Sequence, residues 1–433
     1  VRFLAAVVET LRRRPGRTLG VLLLLGLTAA GLGLVGMQLW AAYHFRAARR
    51  DLARYHPAEA GDHLAACLRV WPNDPDVLFL AARAARCTGL FDMADDFLNR
   101  RQELRGRDDD LVLERALLTA ERGDVDQVLK FCKAKVEAND PDSPLILEAL
   151  ARGSLRAYPY RLRDADWAIE VWLRREPDNP MALLLRGRLD HERFADTAAS
   201  AAFRRALEID PELDDARDRL SGLLLDTQQA AEALPHLEYL RRRRPGEPGL
   251  AVRQARCLHL LGRQPEAATL LDEVLAAEPN FGPALAERGK LSLEAGQDAE
   301  AEGWLRRALE RTPYDATLLP ALENCLTRLG KTDEAGELEP RVKQAREDME
   351  RLDKLIAEDI QRNPDDAEAQ YEAGTILLRL GAYEEGVRRL QNATRLNPRQ
   401  VKAHETLADF YRRIGEPLKA ARHERLAREA AQK

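Results

Sequence analysis

The 433-residue chain is 32% charged and 45% hydrophobic, with only 6% aromatics and a formal net charge of -5. With a pI near 6.0 it lacks the basic excess with which nucleic-acid-binding proteins neutralise phosphate, and its length exceeds one ordinary hydrophobic core, which leaves several domains or a repeat array. Cys67, Cys87, Cys132, Cys257 and Cys325 stand far apart with no CxxC pair, excluding a zinc knuckle and a thioredoxin-like redox site.

Residues 1–18 form a basic segment holding Arg2, Arg12, Arg13, Arg14 and Arg17. From Leu19 to Trp40 no charged side chain occurs. About 22 residues at ~1.5 Å rise cover the ~30 Å hydrocarbon core of a bilayer, so residues 19–40 are expected to form a transmembrane helix. The run is longer than the apolar stretch of a signal peptide, and Thr28-Ala29-Ala30 is a poor cleavage site inside it, so it is expected to be retained. Trp40, Tyr43 and Phe45 then sit at headgroup level as an aromatic belt. Arg46, Arg49, Arg50 and Arg54 follow the span; the balance of positive charge leans toward a cytoplasmic N-terminus and an extracytoplasmic, periplasmic-side array. Gly26, Ala30 and Gly33 offer a small-residue face for helix pairing.

Beyond the span the composition, rich in Ala, Leu, Arg and Glu, favours helices. Pro177, Pro211, Pro245, Pro279 and Pro313 are spaced by 34 residues, and Pro364 and Pro398 repeat the interval. A fixed period of that length with helical patterning resembles the tetratricopeptide repeat family. Set in that register, a small side chain falls where the second helix crosses the first: Ala60, Ala94, Ala165, Ala199, Ala233, Ala267, Ala301, Ala335 and Ala420, with Val128 and Gly386 as exceptions. Gly153, Gly187, Gly289 and Gly374 take the other close-contact position. Gly89, Gly123, Gly262, Gly296, Gly330, Gly381 and Gly415 mark the turn inside each hairpin, where a left-handed residue is needed. Leu64, Leu98, Ile169, Phe203, Leu237, Leu271, Leu305 and Leu390 supply the apolar face.

The resemblance implies an all-α fold: an N-terminal transmembrane helix, then a right-handed α–α superhelix of about eleven repeats. The expected organisation is an array over 41–349 with about nine repeats, an extended linker helix over 350–366, and a C-terminal repeat pair over 367–433. Three irregularities interrupt the period: extra residues between Asn139 and Pro144, the Tyr158-Pro159-Tyr160 turn, and the 51-residue separation of Pro313 from Pro364. In the last, Val342, Ala345, Met349, Leu352, Leu355, Ile356 and Ile360 recur at helical spacing, with Pro340 as the point for a kink, and Glu347 with Arg351 and Glu350 with Lys354 are placed for i,i+4 pairs.

No HExxH, GxSxG or Walker A pattern occurs, so no enzyme is expected, and no catalytic, cofactor-binding or metal-ligating residues. His191, His236, His259 and His404 fall on different repeats and do not suggest a shared metal site. Arrays of this kind present a groove lined by the first helix of each repeat. The register places Arg188, Arg256, Lys290 and Asn324 at one recurring groove position, with Arg253 and His259 nearby. Such a basic strip suits an acidic or C-terminal carboxylate segment of a protein partner, and Asp218, Glu287 and Glu294 are the carboxylates available to balance it. Chaperone-binding members of the family hold a carboxylate with Lys and Asn at set positions; the paired asparagines are missing here, so that partner is not implied.

The expected function is a membrane-anchored scaffold or adaptor for protein–protein interaction in cell-envelope assembly or secretion, with no nucleic-acid partner and the oligomeric state open. Two alternatives stand beside it. One is a regulatory adaptor of a lipopolysaccharide- or glycan-modifying enzyme. The chain resembles the lipopolysaccharide-assembly adaptors in joining one membrane helix to such repeats, but it ends in an Arg- and Ala-rich helix where they carry a Cys-rich metal knuckle. The other is an accessory subunit of a glycosyltransferase.

Overall fold

The computed structural model describes residues 15–157, 161–193, 195–313, 315–363 and 366–431. Side chains of the apolar run are described at residue 24 and from residue 26 onward. The basic residues Arg2 and Arg12 to Arg14, the Tyr158-Pro159-Tyr160 turn and Pro364 lie outside the described residues. Among those described there is no strand. The chain divides into two compact units, Val1–Gly153 and Ser154–Lys433.

The first unit begins with α1 (Pro15–Ala53), followed by α2 (Pro57–Val70), α3 (Pro75–Cys87), α4 (Phe91–Arg105), α5 (Asp109–Glu121), α6 (Val125–Glu137) and α7 (Ser143–Ser154). Local chemistry sets these boundaries. Asp74 accepts from the backbone N–H groups of Asp76 and Val77, with Pro75 at the first helical position of α3, and Asp108 accepts from Leu111 N–H at the start of α5; each cap satisfies donors that a helix start leaves open. The seven turn glycines of the whole chain all have φ between 74° and 102°, a region costly to a side chain bearing Cβ. Ala60 and Ala94 are fully buried at their helix crossings.

The apolar run and the first repeat share one helix. α1 is 39 residues long without interruption, and its C-terminal part packs as the first helix of a hairpin with α2, burying Ala41, Ala47 and Ala48. Trp71 Nε1 donates to Gln38 Oε1 at 2.5 Å, and Cys67 Sγ donates to Ala41 O at 3.4 Å. Farther back along α1, Leu24, Leu27, Leu32, Leu34, Val35 and Leu39 are exposed. Among the described residues no helix is long and apolar enough to cross a membrane; the run read from Leu19 extends into residues whose side chains are not described.

The second unit holds α8 (Leu162–Arg175), α9 (Pro180–Glu192), α10 (Asp196–Ile209), α11 (Asp214–Asp226), α12 (Ala230–Arg243), α13 (Pro248–Leu260), α14 (Gln264–Ala277), α15 (Gly282–Glu294), α16 (Asp298–Arg311), α17 (Leu318–Arg328), α18 (Thr332–Lys354), α19 (Ala367–Arg379), α20 (Tyr383–Leu396), α21 (Val401–Arg413) and α22 (Pro417–Ala431). Each hairpin from α9/α10 onward packs internally and against the next. Phe203, Leu237, Leu271, Leu305 and Leu390 are buried there, as the apolar positions of the repeat require.

α18 carries the long irregular segment, with Pro340 inside it, and runs directly into a π-helical turn over Leu355–Ile360. The second helix of the preceding repeat and the expected linker are therefore continuous. Leu352, Leu355 and Ile360 pack with Ala369, Ala373, Ile376 and Leu377 of α19, which uses the apolar stripe inside the chain. The expected partners of Arg351 and Glu347 are not the ones found: Arg351 makes two 2.7 Å hydrogen bonds to Glu372, and Glu347 lies 3.9 Å from Lys343. A cross-helix carboxylate in bidentate geometry outcompetes an intrahelical neighbour that is held more loosely.

In α21/α22, His404 and His423 face each other with their Nδ1 atoms 3.2 Å apart, and the His423 ring stacks on Tyr411. Burial pulls the His404 imidazole below its usual range. Burial, then His404 and Arg422, bring His423 down to about 4. Folded imidazoles thus resist a proton that the unfolded chain accepts below its ordinary value, so stability is full above about pH 6.5 and declines as pH falls toward 4. Between neutral pH and pH ~4.5 this pair should remove roughly 2 kcal/mol. Urea denaturation across that range should show the extra decline in the parent and its loss in His423→Gln; parallel curves would refute it.

Candidate partner-binding site

Arg188 lies on α9, Arg253, Arg256 and His259 on α13, Lys290 on α15 and Asn324 on α17. α11, α13, α15 and α17 are the first helices of successive hairpins, each in contact with the next in that row; Arg253, Arg256, His259, Lys290 and Asn324 lie on three of them. The charges of the expected strip are already engaged. Arg253 pairs with Asp218 of α11, Arg256 stands 3.9 Å from Asp226, His259 Nε2 is 3.2 Å from Glu294 of α15, and Lys290 is 3.2 Å from Glu287. Arg188 is half-buried and Asn324 exposed. The three balancing carboxylates expected from the sequence are thus the actual partners of Arg253, His259 and Lys290. Such a ladder holds neighbouring repeats in register, and a ligand carboxylate must displace an existing partner to bind it. His259 Nδ1 is buried without a hydrogen-bond partner.

The first unit contains an arrangement that the sequence reading missed. Arg86 of α3 is 1% exposed; its Nε donates to Glu114 Oε1 at 2.6 Å and its Nη1 pairs with Glu121, both on α5. Arg83 Nε donates to the other Glu114 oxygen at 3.2 Å. On α7, Arg152 lies 2.9 Å from Glu148, and its Nη1 donates to the Cys87 carbonyl at 3.3 Å. Burial alone would lower the Arg86 pKa, but Glu114 and Glu121 outweigh it and hold the guanidinium above its usual value. For Glu114 burial opposes ionisation, yet Arg86 and Arg83 prevail and its pKa is lowered. Glu121 goes the other way: burial dominates and raises its pKa. One of its carboxylate oxygens has no hydrogen-bond partner.

Beside this network opens a cavity of about 280 Å³ lined by Leu52, Leu80 and Leu145 together with Arg49, Arg83, Glu148 and Arg152. Residues of α1, α3 and α7 meet around it, so the first-helix face of this unit curls into a pocket. Apolar walls with a few convergent charged groups are the usual make-up of a ligand site. Cys87 also lines it, with its thiol pushed up to about 12 mainly by burial, so it stays protonated and is no nucleophile at neutral pH. Among the described residues no group of three or more His, Cys, Asp and Glu side chains is placed to hold a metal ion.

Family models described as tetratricopeptide repeat match residues 224–287 and residues 265–316, 350–387 and 371–433. The Hsp70-Hsp90 organizing protein 1 of Glycine max is 24% identical over 294 residues, covering 64% of this chain and 50% of its own length. The Hsp70-Hsp90 organizing protein of Triticum aestivum is 21% identical over 248 residues, covering 56% of this chain and 42% of its own. The chain therefore spans half or less of the length of these curated relatives. Among solved structures, the type IV pilus biogenesis factor PilW superimposes with TM-score 0.40 at 23% identity, covering 54% of this chain and 98% of its own. Yeast Tom70 gives 0.34 at 12% identity, covering 92% and 93%. No function is carried over from these superpositions. Period, turn glycines, stacked hairpins and family models agree: over residues 224–316 and 350–433 the chain belongs to the tetratricopeptide repeat family.

Proposed function

We propose that the protein is a membrane-anchored scaffold that grips an extended or helical segment of a partner protein, in cell-envelope assembly or secretion, with its array on the extracytoplasmic, periplasmic side. The observation that carries the grip is the pocket of the first unit, where Leu52, Leu80 and Leu145 offer an apolar floor and Arg49 stands exposed at the rim. An apolar anchor side chain flanked by an acidic group matches that lining. The strip on α13 and α15 serves better as a register lock, because its cations are paired within the array. The chain lacks the paired asparagines with which chaperone-binding relatives hold a carboxylate, so chaperone tails are not proposed as the partner.

The anchor rests on the uncharged run from Leu19 to Trp40 and on the leucines left uncovered along α1, with Leu27 71% and Leu32 74% exposed. A row of such side chains in water forgoes ~25 cal/mol for each Å² left unburied, and a bilayer removes that cost. Because α1 enters the first hairpin unbroken, anchoring would hold that hairpin at a fixed height above the membrane.

A photo-crosslinker at Leu80 or Leu145, used in the full chain in native membranes, should capture a discrete protein, and Arg49→Glu should abolish the capture. Equal labelling from a control at Asn324, or no effect of Arg49→Glu, would remove the grip. Release of the protein by alkaline extraction would remove the anchor, and a C-terminal reporter active in the cytoplasm would reverse the topology.

A further inference from the structure

In the first hairpin, His44 of α1 and His63 of α2 bring their Nδ1 atoms to 2.7 Å. The same contact recurs in α21/α22 between His404 and His423, again 19 residues apart. Arg217 with His236 and Arg389 with Gln370 occupy the equivalent contact in other hairpins. The locus joins the two helices of one repeat, and the same register in α3/α4 carries the apolar residues Leu78 and Phe97. Two imidazoles are therefore a departure from the way this position is normally packed.

The surroundings of the first pair prepare it for more than a shared proton. Asp51 Oδ2 lies 3.6 Å from His63 Nε2, which favours the tautomer with hydrogen on Nε2 and leaves the Nδ1 lone pair facing His44. A carboxylate behind an imidazole is the usual outer support of a metal-ligating histidine. Arg50 is 3.8 Å from the same carboxylate, and Trp40 and Tyr43 flank His44. Both imidazoles are half-buried, so water reaches the open side. Two metal–nitrogen bonds of about 2.0 Å at a right angle put their nitrogens about 2.8 Å apart, as square-planar Cu²⁺ or Ni²⁺ requires.

We infer that His44 and His63 form a two-nitrogen clip for a square-planar divalent transition metal, Cu²⁺ or Ni²⁺, at the joint between α1 and α2. The metal takes the place of the hydrogen between the two Nδ1 atoms: His44 gives up its Nδ1 proton to solvent and takes one back at Nε2, so both rings coordinate as neutral imidazoles and water completes the coordination. Once bound, it staples the helix carrying the apolar run to the rest of the first repeat. The His404–His423 pair is the built-in comparison. Its nitrogens are farther apart, and Lys419 and Arg422 add positive charge nearby, so it binds these ions more weakly. The clip is independent of what the pocket of the first unit holds.

The test uses the full chain in detergent micelles near neutral pH. The Trp40 and His44 ring centroids are 4.5 Å apart, so titration with CuCl₂ should quench tryptophan emission saturably, and NiCl₂ should raise Tm by mass action. His63→Gln and, from the other helix, His44→Gln should each abolish both effects while His423→Gln leaves them intact. Asp51→Asn should weaken binding about tenfold. Quenching that never saturates, that survives both first-hairpin variants, or that disappears in His423→Gln would overturn the assignment.

Discussion

Arg86→Ala is expected to destabilise the first unit by about 3–5 kcal/mol, enough to melt it ahead of the rest of the chain. The guanidinium is 1% exposed, with Glu114 and Glu121 equally enclosed. Removing it leaves two carboxylates in a medium where an uncompensated charge is strongly disfavoured. Arg83 still reaches Glu114, so the larger share of the loss falls on Glu121, whose pKa burial already raises. The sign of the pH response follows. As pH falls from neutral toward ~5, Glu121 of the variant takes up a proton and sheds its charge, so the deficit between variant and parent should shrink. A deficit due to lost packing would not respond. Replacing all three groups together, Arg86→Met with Glu114→Leu and Glu121→Leu, should recover stability to the parental level or above, since a buried ion network is often no better than well-packed apolar side chains. Urea denaturation followed by helical circular dichroism reads all of this. A single variant within ~1 kcal/mol of the parent would mean that water reaches the network.

That network shows where the sequence stops being informative. Small residues at crossings, large apolar ones facing them and a glycine in each hairpin turn are decided within a single repeat, so Ala267, Leu271 and Gly262 could be read without coordinates. Whether a polar side chain on the first helix of a hairpin meets water depends on how sharply successive hairpins rotate, which is a sum of small packing angles. Arg86, Glu114 and Glu121 have the residue types of an ordinary solvated helix face. Only the approach of α7 to α5 through Gly153 suggests why they are enclosed. The same limit applies to the expected strip: the register alone puts Arg253, Arg256, His259 and Lys290 on first helices of their hairpins, but the engagement of Asp218 and Glu294 depends on neighbouring rows. α18 was legible as a helix because its apolar spacing is local, whereas the choice of Glu372 as partner for Arg351 is tertiary.

Gly153→Ala and Gly303→Ala make the same chemical change inside helices and should have opposite effects. Intrinsic propensity alone predicts a gain of about 0.5–1 kcal/mol for both, because alanine restricts the unfolded chain more and favours the helix. At Gly303 nothing lies within 4 Å of the added methyl group, so the gain should be realised. At Gly153 the methyl would stand 2.1 Å from the Ala120 carbonyl oxygen and 2.6 Å from its carbon. Both are backbone atoms of a packed helix and cannot rotate aside. α7 must move off α5, opening the interface that encloses Glu121, and a loss of about 3 kcal/mol or more is expected. Gly187→Ala should fall between them: its methyl would meet the Phe203 ring at 2.5 Å, and a side chain has more freedom to yield than a carbonyl. Thermal denaturation of the three variants should therefore order them as Gly303→Ala above the parent, Gly187→Ala below it and Gly153→Ala lowest. If Gly153→Ala matched or exceeded the parent, α7 would not approach α5 this closely in solution, and the enclosure of Arg86 and its two carboxylates would have to be abandoned with it.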